Sequence, residues 1–253
     1  MPQSTRRSGA PVSVFRVPRT STVDLIAIEL RNAIFSGALP VGGQIGEVEI
    51  SSQLGVSRSP LREAMQRLVQ EGLLTATPGR GLRVSKIGPE HVADLYAARM
   101  AVESESLRRV MRRGDSVALS QLEKSYAALI EVSEGTDARA IGNTDIAFHQ
   151  ALVDAAGSRR LSQYMSTLII ETRIASFSSP NGYVVRRSVS PTYETLLDAM
   201  RTGDVDAAVA ALSVQFDDAV SRLIGKDAEV ETVETPPDAA PPSFEPIIES
   251  PRA

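Results

Sequence analysis

Apolar residues recur at helical spacing in three stretches near the N-terminus. The spacing predicts a first helix over 20–36, a second over 47–54, and a third that begins near Ser59. Gly55 separates the second and third helices, because glycine adopts the left-handed conformation at a helix end without steric cost. Ser57 or Ser59 is expected to supply an N-cap oxygen to the third helix, and Pro60 lies in its first turn. The residues predicted to face the core are Leu25, Ile26, Ile28, Leu30, Ala33, Ile34, Val48, Ile50, Leu54, Leu61, Ala64, Met65 and Leu68.

An alternating pattern follows these helices and predicts a hairpin. Residues 72–77 and 82–85 alternate as strands do, and 78–81 reads Pro-Gly-Arg-Gly, a tight-turn sequence. Three helices followed by a two-stranded wing predict a winged helix-turn-helix domain over 20–86.

The predicted start of the third helix is cationic and polar. Arg58 and Arg62 are four residues apart and therefore project from the same side of the helix, with Ser59 beside them. For two arginines taken alone, a solvated charged face is the commoner explanation. The wing favours DNA, because Gly79 permits close backbone approach and Arg80 is placed to reach phosphate or the minor groove. Arg31, on the first helix, is a further candidate for a phosphate contact.

The remainder of the chain has helical periodicity and no convincing strand up to residue 226. Six helices are expected, at 90–113, 116–133, 137–156, 159–177, 183–201 and 205–224, with glycine and proline in the connections. Short loops between such helices favour an antiparallel bundle. The predicted fold is therefore mainly α, with an all-α domain over 89–226.

Composition limits the remaining possibilities. At 253 residues the chain has room for two domains, and the absence of cysteine excludes disulfides and thiolate metal sites. No apolar run is long enough to span a membrane, which predicts a cytoplasmic protein. The net charge of −4 is mostly a property of the acidic, proline-rich residues 227–253. They are expected to be a disordered tail that solubilises the protein, with competition against DNA for the basic face as the alternative role. Residues 1–19 are expected to be a disordered basic arm, either inert or touching DNA phosphates.

The segment GALPVGGQIGEVEISSQLGVSRSPLREAMQRLVQEGLLTATPGRGLRV resembles the DNA-binding domain of GntR-family bacterial transcription regulators. The resemblance implies that Arg58, Ser59 and Arg62 make the main contacts to bases and phosphates. It gives supporting roles to Ser57, Gly79 and Arg80. The chain departs from the family pattern at Val41-Gly42, where Pro-Gly is usual, and at Val48, often an arginine that contacts DNA, which suggests a shifted operator preference.

Asp145 and His149 form the most informative pair in the helical region. They are four residues apart, so a carboxylate and an imidazole share one helix face and could hold one metal ion. An N-cap or an ordinary surface hydrogen bond is the alternative explanation for such a pair.

The surrounding sequence resembles the FCD effector domain of the FadR branch of the GntR family. The resemblance is carried by D-x-x-F-H-x-x-L at 145–152, by a later L-x-D-A-M-x-x-G-D pattern, and by Arg99 with Glu103. Many FCD domains add two metal-binding histidines, but an ungapped count places Tyr193 and Gln215 at those positions. Since tyrosine and glutamine are poor ligands for transition metals at neutral pH, we expect no tightly bound metal, and at most a weak, water-rich divalent ion.

A pocket without metal is expected to bind a small-molecule effector through hydrogen bonds in an apolar cavity. Two arginines in this set favour a carboxylate-bearing metabolite or an acyl thioester, although both could instead be structural partners of Glu103 and Glu171. The candidate effector-binding residues are Arg99, Asp145, His149, Arg173, Tyr193 and Gln215.

Together these patterns predict a homodimeric, ligand-responsive transcription regulator, with repression as the preferred mode, that binds a double-stranded DNA operator. Two rival hypotheses remain at this point. One is a DNA-binding protein whose helical domain binds no effector. The other is a metal-dependent enzyme that uses Asp145 and His149, which the incomplete ligand set and the lack of a clustered nucleophile and base disfavour.

Overall fold

A computed structural model describes residues 21–178, 184–186, 190–225 and 232–234. The predicted arm over 1–19 lies outside them, as does most of the tail. In chain order the elements are α1 (Thr22–Phe35), α2 (Glu47–Gln53), α3 (Arg58–Gln70), β1 (Leu74–Thr77), β2 (Gly81–Val84), α4 (Pro89–Arg113), α5 (Ser116–Ser133), α6 (Ala138–Ala155), α7 (Arg159–Ser178), β3 (Val184–Arg186), α8 (Ser190–Thr202), α9 (Val205–Leu223) and β4 (Thr232–Glu234).

Helices α1 to α3 and the β1–β2 hairpin form the N-terminal unit, so the predicted winged helix-turn-helix is confirmed. Ser21 begins α1 with a capping box: its hydroxyl accepts from the Asp24 backbone N–H, and the Asp24 carboxylate accepts from the Ser21 N–H. The core of this unit is aliphatic. Its largest fully buried side chains are those of Ile26, Leu30, Ile34, Leu54, Leu61, Met65, Leu68 and Leu73.

Three residues expected in this core are exposed instead. Leu25 is 38%, Ile28 43% and Val48 62% accessible to solvent. At about 100° per residue, the buried positions of α1 occupy a face roughly 120° wide, and residues 25 and 28 fall outside it. These three residues were assigned to the core because their side chains are apolar, and that prediction is wrong.

The turn before α3 is confirmed, but its cap is not. Gly55 has φ +64°, the left-handed conformation expected of it. Ser57 is the N-cap residue, yet its side chain accepts no capping hydrogen bond. The third residue of the helix is Pro60, which has no N–H, so the usual donor to such a cap is missing. Neither Ser57 nor Ser59 supplies the expected cap oxygen.

The wing is a regular antiparallel hairpin. Leu74 pairs with Val84 and Thr77 with Gly81, which leaves 78–80 as the tip. The segment before α2 extends this sheet, because the Ile45 N–H donates to the Leu82 carbonyl at 2.9 Å. The wing is thereby fixed to the helix-turn-helix at its base.

Six helices, α4 to α9, follow, as predicted. Neighbouring helices α5 and α6 pack together, as do α8 and α9, while α4 contacts α6, α7 and α9. Asp115, Asp137 and Asp204 cap α5, α6 and α9 through their carboxylates. The main bundle core includes Leu107, Leu122, Leu129, Phe148, Leu152, Leu196 and Leu197. Within the described residues, no helix is both long enough and apolar enough to cross a membrane.

The structure differs from the predicted secondary structure in two places, between α7 and α8 and in the tail. A helix was expected over 183–201, but β3 occupies Val184–Arg186 and α8 begins at Ser190. β3 pairs antiparallel with β4, and Val185 lies opposite Val233. Residues 232–234 therefore form a strand, where disorder was expected. β-branched residues suit strands, but pairing between segments so far apart in sequence leaves no local periodic signal.

Helix α7 joins the two units. Ile174 is 1% exposed and belongs to the core of the winged domain. Its neighbour Ala175 belongs to a different cluster inside the bundle. The guanidinium carbon of Arg173 lies 4.7 Å from the centre of the Phe35 ring at the end of α1. One helix thus contacts the core of the winged domain and the interior of the bundle.

Candidate nucleic-acid interface and ligand site

The start of α3 presents a polar, cationic surface. Ser57, Arg58, Ser59 and Arg62 are all exposed. Arg58 makes no side-chain hydrogen bond or ion pair within the described part of the chain. The first backbone N–H groups of α3 have no intrahelical acceptor, and the Ser57 hydroxyl is not used as a cap. This end of the helix is therefore suited to bind an anion such as a phosphate.

Arg62 has a partner that DNA could displace. Its Nε lies 2.7 Å from Oε2 of Glu47, and the two side chains are 63% and 34% exposed. Ion pairs with this exposure contribute about 0–1 kcal/mol. A phosphate or a guanine edge can therefore replace Glu47 at small cost.

The tip of the wing is exposed and contains the predicted Gly79 and Arg80. Gly79 has φ +72°, which a residue with a side chain rarely adopts. The carbonyl of Arg80 accepts from Gln44 Nε2 at 3.4 Å, while its guanidinium extends into solvent. The tip is thus shaped by backbone geometry and carries a single cationic side chain.

Arg31 differs from the other predicted DNA contacts. It forms a bidentate pair with Glu71, through Nε at 2.8 Å and Nη2 at 2.6 Å. Both side chains are about one quarter exposed. The pair connects α1 to the end of α3, which gives Arg31 a role inside the domain that a phosphate contact would have to disrupt.

A second site lies inside the bundle, between α4, α6, α8 and α9. Five of the predicted effector residues line this cavity: Arg99, Asp145, His149, Tyr193 and Gln215. The open space measures about 40 Å³. It accommodates roughly three water molecules, since each needs about 10–15 Å³. As it stands, the cavity admits a small polar group and not a whole metabolite.

Glu103 is the centre of the site, although it does not line the cavity. It is fully buried, accepts from Arg99 Nε at 2.9 Å, and lies 2.5 Å from His149 Nδ1. Burial acts to raise the pKa of Glu103, but the His149 and Arg99 charges and hydrogen bonds outweigh it and lower that pKa. The Arg99 guanidinium also lies over the rings of Tyr96 and Phe216, at 4.9 and 4.6 Å from their centres.

Tyr193 joins the two residues that the sequence offered to a metal. Its hydroxyl donates to Asp145 Oδ1 at 2.5 Å and lies 3.1 Å from His149 Nε2. Burial and the neighbouring Asp145 charge and hydrogen bond raise the pKa of Tyr193 well above its ordinary value, so the phenol stays neutral. No group of three or more His, Cys, Asp or Glu side chains in the described residues could hold a metal. The residues present do not fit a divalent metal site.

Several polar atoms of the site have no hydrogen-bond partner. They are Nη2 of Arg99 and both amide atoms of Gln215, all buried within the described structure. Leaving such atoms unpaired costs about 1–3 kcal/mol each, so native proteins rarely retain them without a reason. Their position in one cavity means that either water or a bound polar group can complete their hydrogen bonds there.

The sequence prediction of this site was incomplete in two ways. It placed Arg173 with the other effector residues, but Arg173 lies at the contact with the winged domain, over Phe35, and does not line the cavity. It also missed Tyr96, Phe216 and Arg222, which do. Tyr96 is one helical turn before Arg99, and Phe216 follows Gln215, so helical spacing could have suggested both.

A wider cavity of about 300 Å³ lies where the ends of α4 and α8 meet the start of α5. Its one cationic side chain, Arg201, is already paired with Glu123 and Asp198. None of the buried unpaired polar atoms lies on its lining. It is therefore larger than the cavity around Gln215 but offers fewer polar groups that could bind a ligand.

Two family models match the chain where the two units lie. The model described as "Bacterial regulatory proteins, gntR family" matches residues 22–84, and the FCD domain model matches 94–217. A probable D-xylose utilization operon transcriptional repressor of Paenarthrobacter nicotinovorans is 30% identical over 200 residues, which cover 78% of this chain and 87% of that protein. The chain belongs to the GntR family. It is a DNA-binding transcription regulator of the FCD-containing branch and not an enzyme.

Other relatives of this GntR regulator agree. A gluconate operon transcriptional repressor of Bacillus licheniformis is 24% identical, with 81% of this chain and 86% of that protein covered. The crystal structure of a GntR regulator from Rhodococcus sp. RHA1 superposes with a TM-score of 0.63 at 27% identity, covering 81% of this chain and 98% of that one. The resemblance inferred from the sequence is confirmed.

Proposed function

We propose that this GntR regulator is a homodimeric repressor whose operator binding is controlled by a small molecule bound among Arg99, His149, Tyr193 and Gln215. The observation that carries this proposal is the cluster of buried, unpaired polar atoms in the FCD domain. A helical domain that served only for dimerisation would gain stability by filling that space with apolar side chains. The names of the relatives, operon repressors, support repression as the mode of control.

The DNA side of the proposal uses the exposed start of α3 and the wing. Arg58 and Arg62 would enter the major groove, where arginine pairs bidentately with guanine, and Ser57 and Ser59 would bind phosphate or base edges. Arg80 would follow the backbone or the minor groove. In a homodimer, two such surfaces would require an operator with two-fold symmetry, because the symmetry of the protein imposes that of its site.

The unpaired atoms indicate the chemistry of the effector. Arg99 Nη2 and the amide N–H of Gln215 need acceptors, whereas Oε1 of Gln215 needs a donor. A carboxylate next to a hydroxyl offers both in one small group. The size of the cavity favours such a hydroxycarboxylate over an acyl thioester, whose bulk would have to remain outside.

A route from this site to the DNA-binding domain passes through α7. Tyr96 and Phe216, which line the cavity, share an apolar cluster with Ala175. The next residue towards the N-terminus, Ile174, is packed in the core of the winged domain. An effector that shifts the wall of the cavity would therefore change the placement of the winged domain. It can shift that equilibrium only by its difference in affinity for the two states.

Operator binding is tested by selecting duplexes from a random pool and measuring their affinity by fluorescence anisotropy. We expect a two-fold symmetric site, with a log–log dependence on salt of about −0.9 for each phosphate neutralised. Selected sequences that have no symmetry, or affinity that does not fall with salt, would contradict the proposed mode of binding.

Replacing Gln215 with leucine tests the ligand site. Leucine has a similar size and no polar atoms, so the free protein should gain about 1–3 kcal/mol in free energy of unfolding, measured in urea. The same variant should lose the increase in melting temperature that a small hydroxycarboxylate such as lactate gives the native protein. The matched control is Gln150→Leu on α6, whose amide already donates to Asp154 at 2.8 Å. If the Gln215 amide serves the stability of the fold and not ligand binding, the Gln215→Leu protein should instead be less stable than the native one.

A further inference from the structure

His149 is held as metal-binding histidines are held, but it faces a hydroxyl. Its Nδ1 lies 2.5 Å from the buried Glu103 carboxylate, which is fixed in turn by Arg99. A carboxylate on one ring nitrogen is the usual means of aiming the other nitrogen at a metal ion. In this chain the aimed atom, Nε2, lies 3.1 Å from the hydroxyl of Tyr193.

Tyr193 is fixed in this position by its ring. The side chain is 3% exposed. One ring face stacks on Tyr126 at 6.0 Å and 12°, and the ring meets Phe148 edge to face at 4.8 Å. Such aromatic pairs add about 0.5–1.5 kcal/mol each beyond the burial of apolar area. The hydroxyl therefore cannot leave Asp145 and His149 unless the ring gives up these contacts.

The Tyr193 hydroxyl contacts both candidate metal ligands, Asp145 and His149, at the same time. It donates to Asp145 Oδ1 at 2.5 Å and lies 3.1 Å from His149 Nε2. Gln215 lies where many FCD domains have the other metal-binding histidine, and its neutral amide is a weak ligand for transition metals. The site keeps the orientation of a metal centre, but the Tyr193 hydroxyl occupies Oδ1 of Asp145 and faces Nε2 of His149, the two atoms that would bind the ion.

We propose that the Tyr193 hydroxyl permanently replaces a divalent cation at this site, by joining Asp145 to His149 and keeping both from metal. The hydroxyl supplies the link between α6 and α8 that a shared cation would supply. Ligand recognition is then independent of metal and depends on Arg99 and Gln215. This last statement rests on the proposed effector role, whereas the replacement itself does not.

The test is calorimetric titration of the full-length protein with zinc chloride and with manganese chloride, after dialysis against EDTA. The native protein should bind neither ion tightly. Tyr193→Phe keeps the ring but frees Asp145 and His149, so zinc affinity should rise measurably. Tyr193→His adds a third ligand and should bind zinc on the order of 10–100-fold more tightly than Tyr193→Phe.

The matched control is the double variant Tyr193→His with His149→Ala, in which the gained affinity should disappear. Circular dichroism establishes that each variant is folded. If Tyr193→His does not fold, the comparison of Tyr193→Phe with the native protein decides, because only replacement by the hydroxyl predicts a gain in affinity when the hydroxyl is removed. A fall in zinc affinity in Tyr193→Phe would instead make Tyr193 a metal ligand.

Submicromolar zinc or manganese binding by the native protein, abolished by His149→Ala, would overturn the proposal. A melting temperature that rises when micromolar zinc is restored would do so too, since a ligand of the native state stabilises it by mass action. These readouts do not involve an effector. The metal proposal and the proposed effector function can therefore fail separately.

Discussion

Replacing Glu103 with alanine is expected to lower the free energy of unfolding by about 3–5 kcal/mol, because it removes one partner of a buried ionic network. The Glu103 side chain is fully buried and is the acceptor for both Arg99 and His149. Without it, a guanidinium that is 2% exposed loses its counter-ion. Urea denaturation followed by circular dichroism measures the loss.

Glu105→Ala is the matched control for this prediction. Glu105 lies on the same helix and pairs with Arg109 at the same i to i+4 spacing, but its pair is about 40% exposed. Pairs with that exposure contribute about 0–1 kcal/mol. Should both variants lose the same small amount, the network around Glu103 would not hold the FCD domain together. The two glutamates share the i to i+4 spacing to an arginine, and they differ in burial and in the second partner, His149, that only Glu103 has.

Arg58→Ala is expected to weaken binding to the selected operator by about 1–3 kcal/mol, or roughly 5- to 150-fold, if the side chain pairs with guanine. Arg58 is exposed at the start of α3, and its guanidinium has no partner to lose within the described structure. Stability should therefore change little. Fluorescence anisotropy at a fixed salt concentration measures the affinity, and binding to unrelated duplexes measures the non-specific part.

Arg67→Ala is the control for Arg58. Arg67 is also an exposed arginine on α3, but it lies in the last turn and pairs with Asp24 of α1. Its charge is placed far from the helix start, so operator affinity should stay close to that of the native protein. Equal losses in the two variants would indicate general charge attraction. If neither Arg58→Ala nor Arg62→Ala weakened binding, α3 would not be the recognition helix.

The sequence alone determined most of the architecture, because each element has a local cause. Three local signals predicted the winged domain and the six following helices. They are helical periodicity, the left-handed glycine at residue 55 and the Pro-Gly-Arg-Gly turn, and each depends only on residues close together in the sequence. The exposure of Arg58 and Arg80 was predictable for the same reason: they lie at the start of a helix and at the tip of a hairpin, positions that the local sequence defines.

Only the tertiary structure decided which partners the remaining side chains have. Arg99 and Arg173 look alike in the sequence, yet one lies in the FCD cavity and the other on Phe35 of the winged domain, because helices α4 and α7 face different neighbours. The β3–β4 pairing and the exposure of Val48 were hidden for the same reason, whereas the exposure of Leu25 and Ile28 follows from their place outside the buried face of α1. The sequence showed that histidines were missing from the site, but the position of the Tyr193 hydroxyl between Asp145 and His149 depends on how α6 and α8 pack.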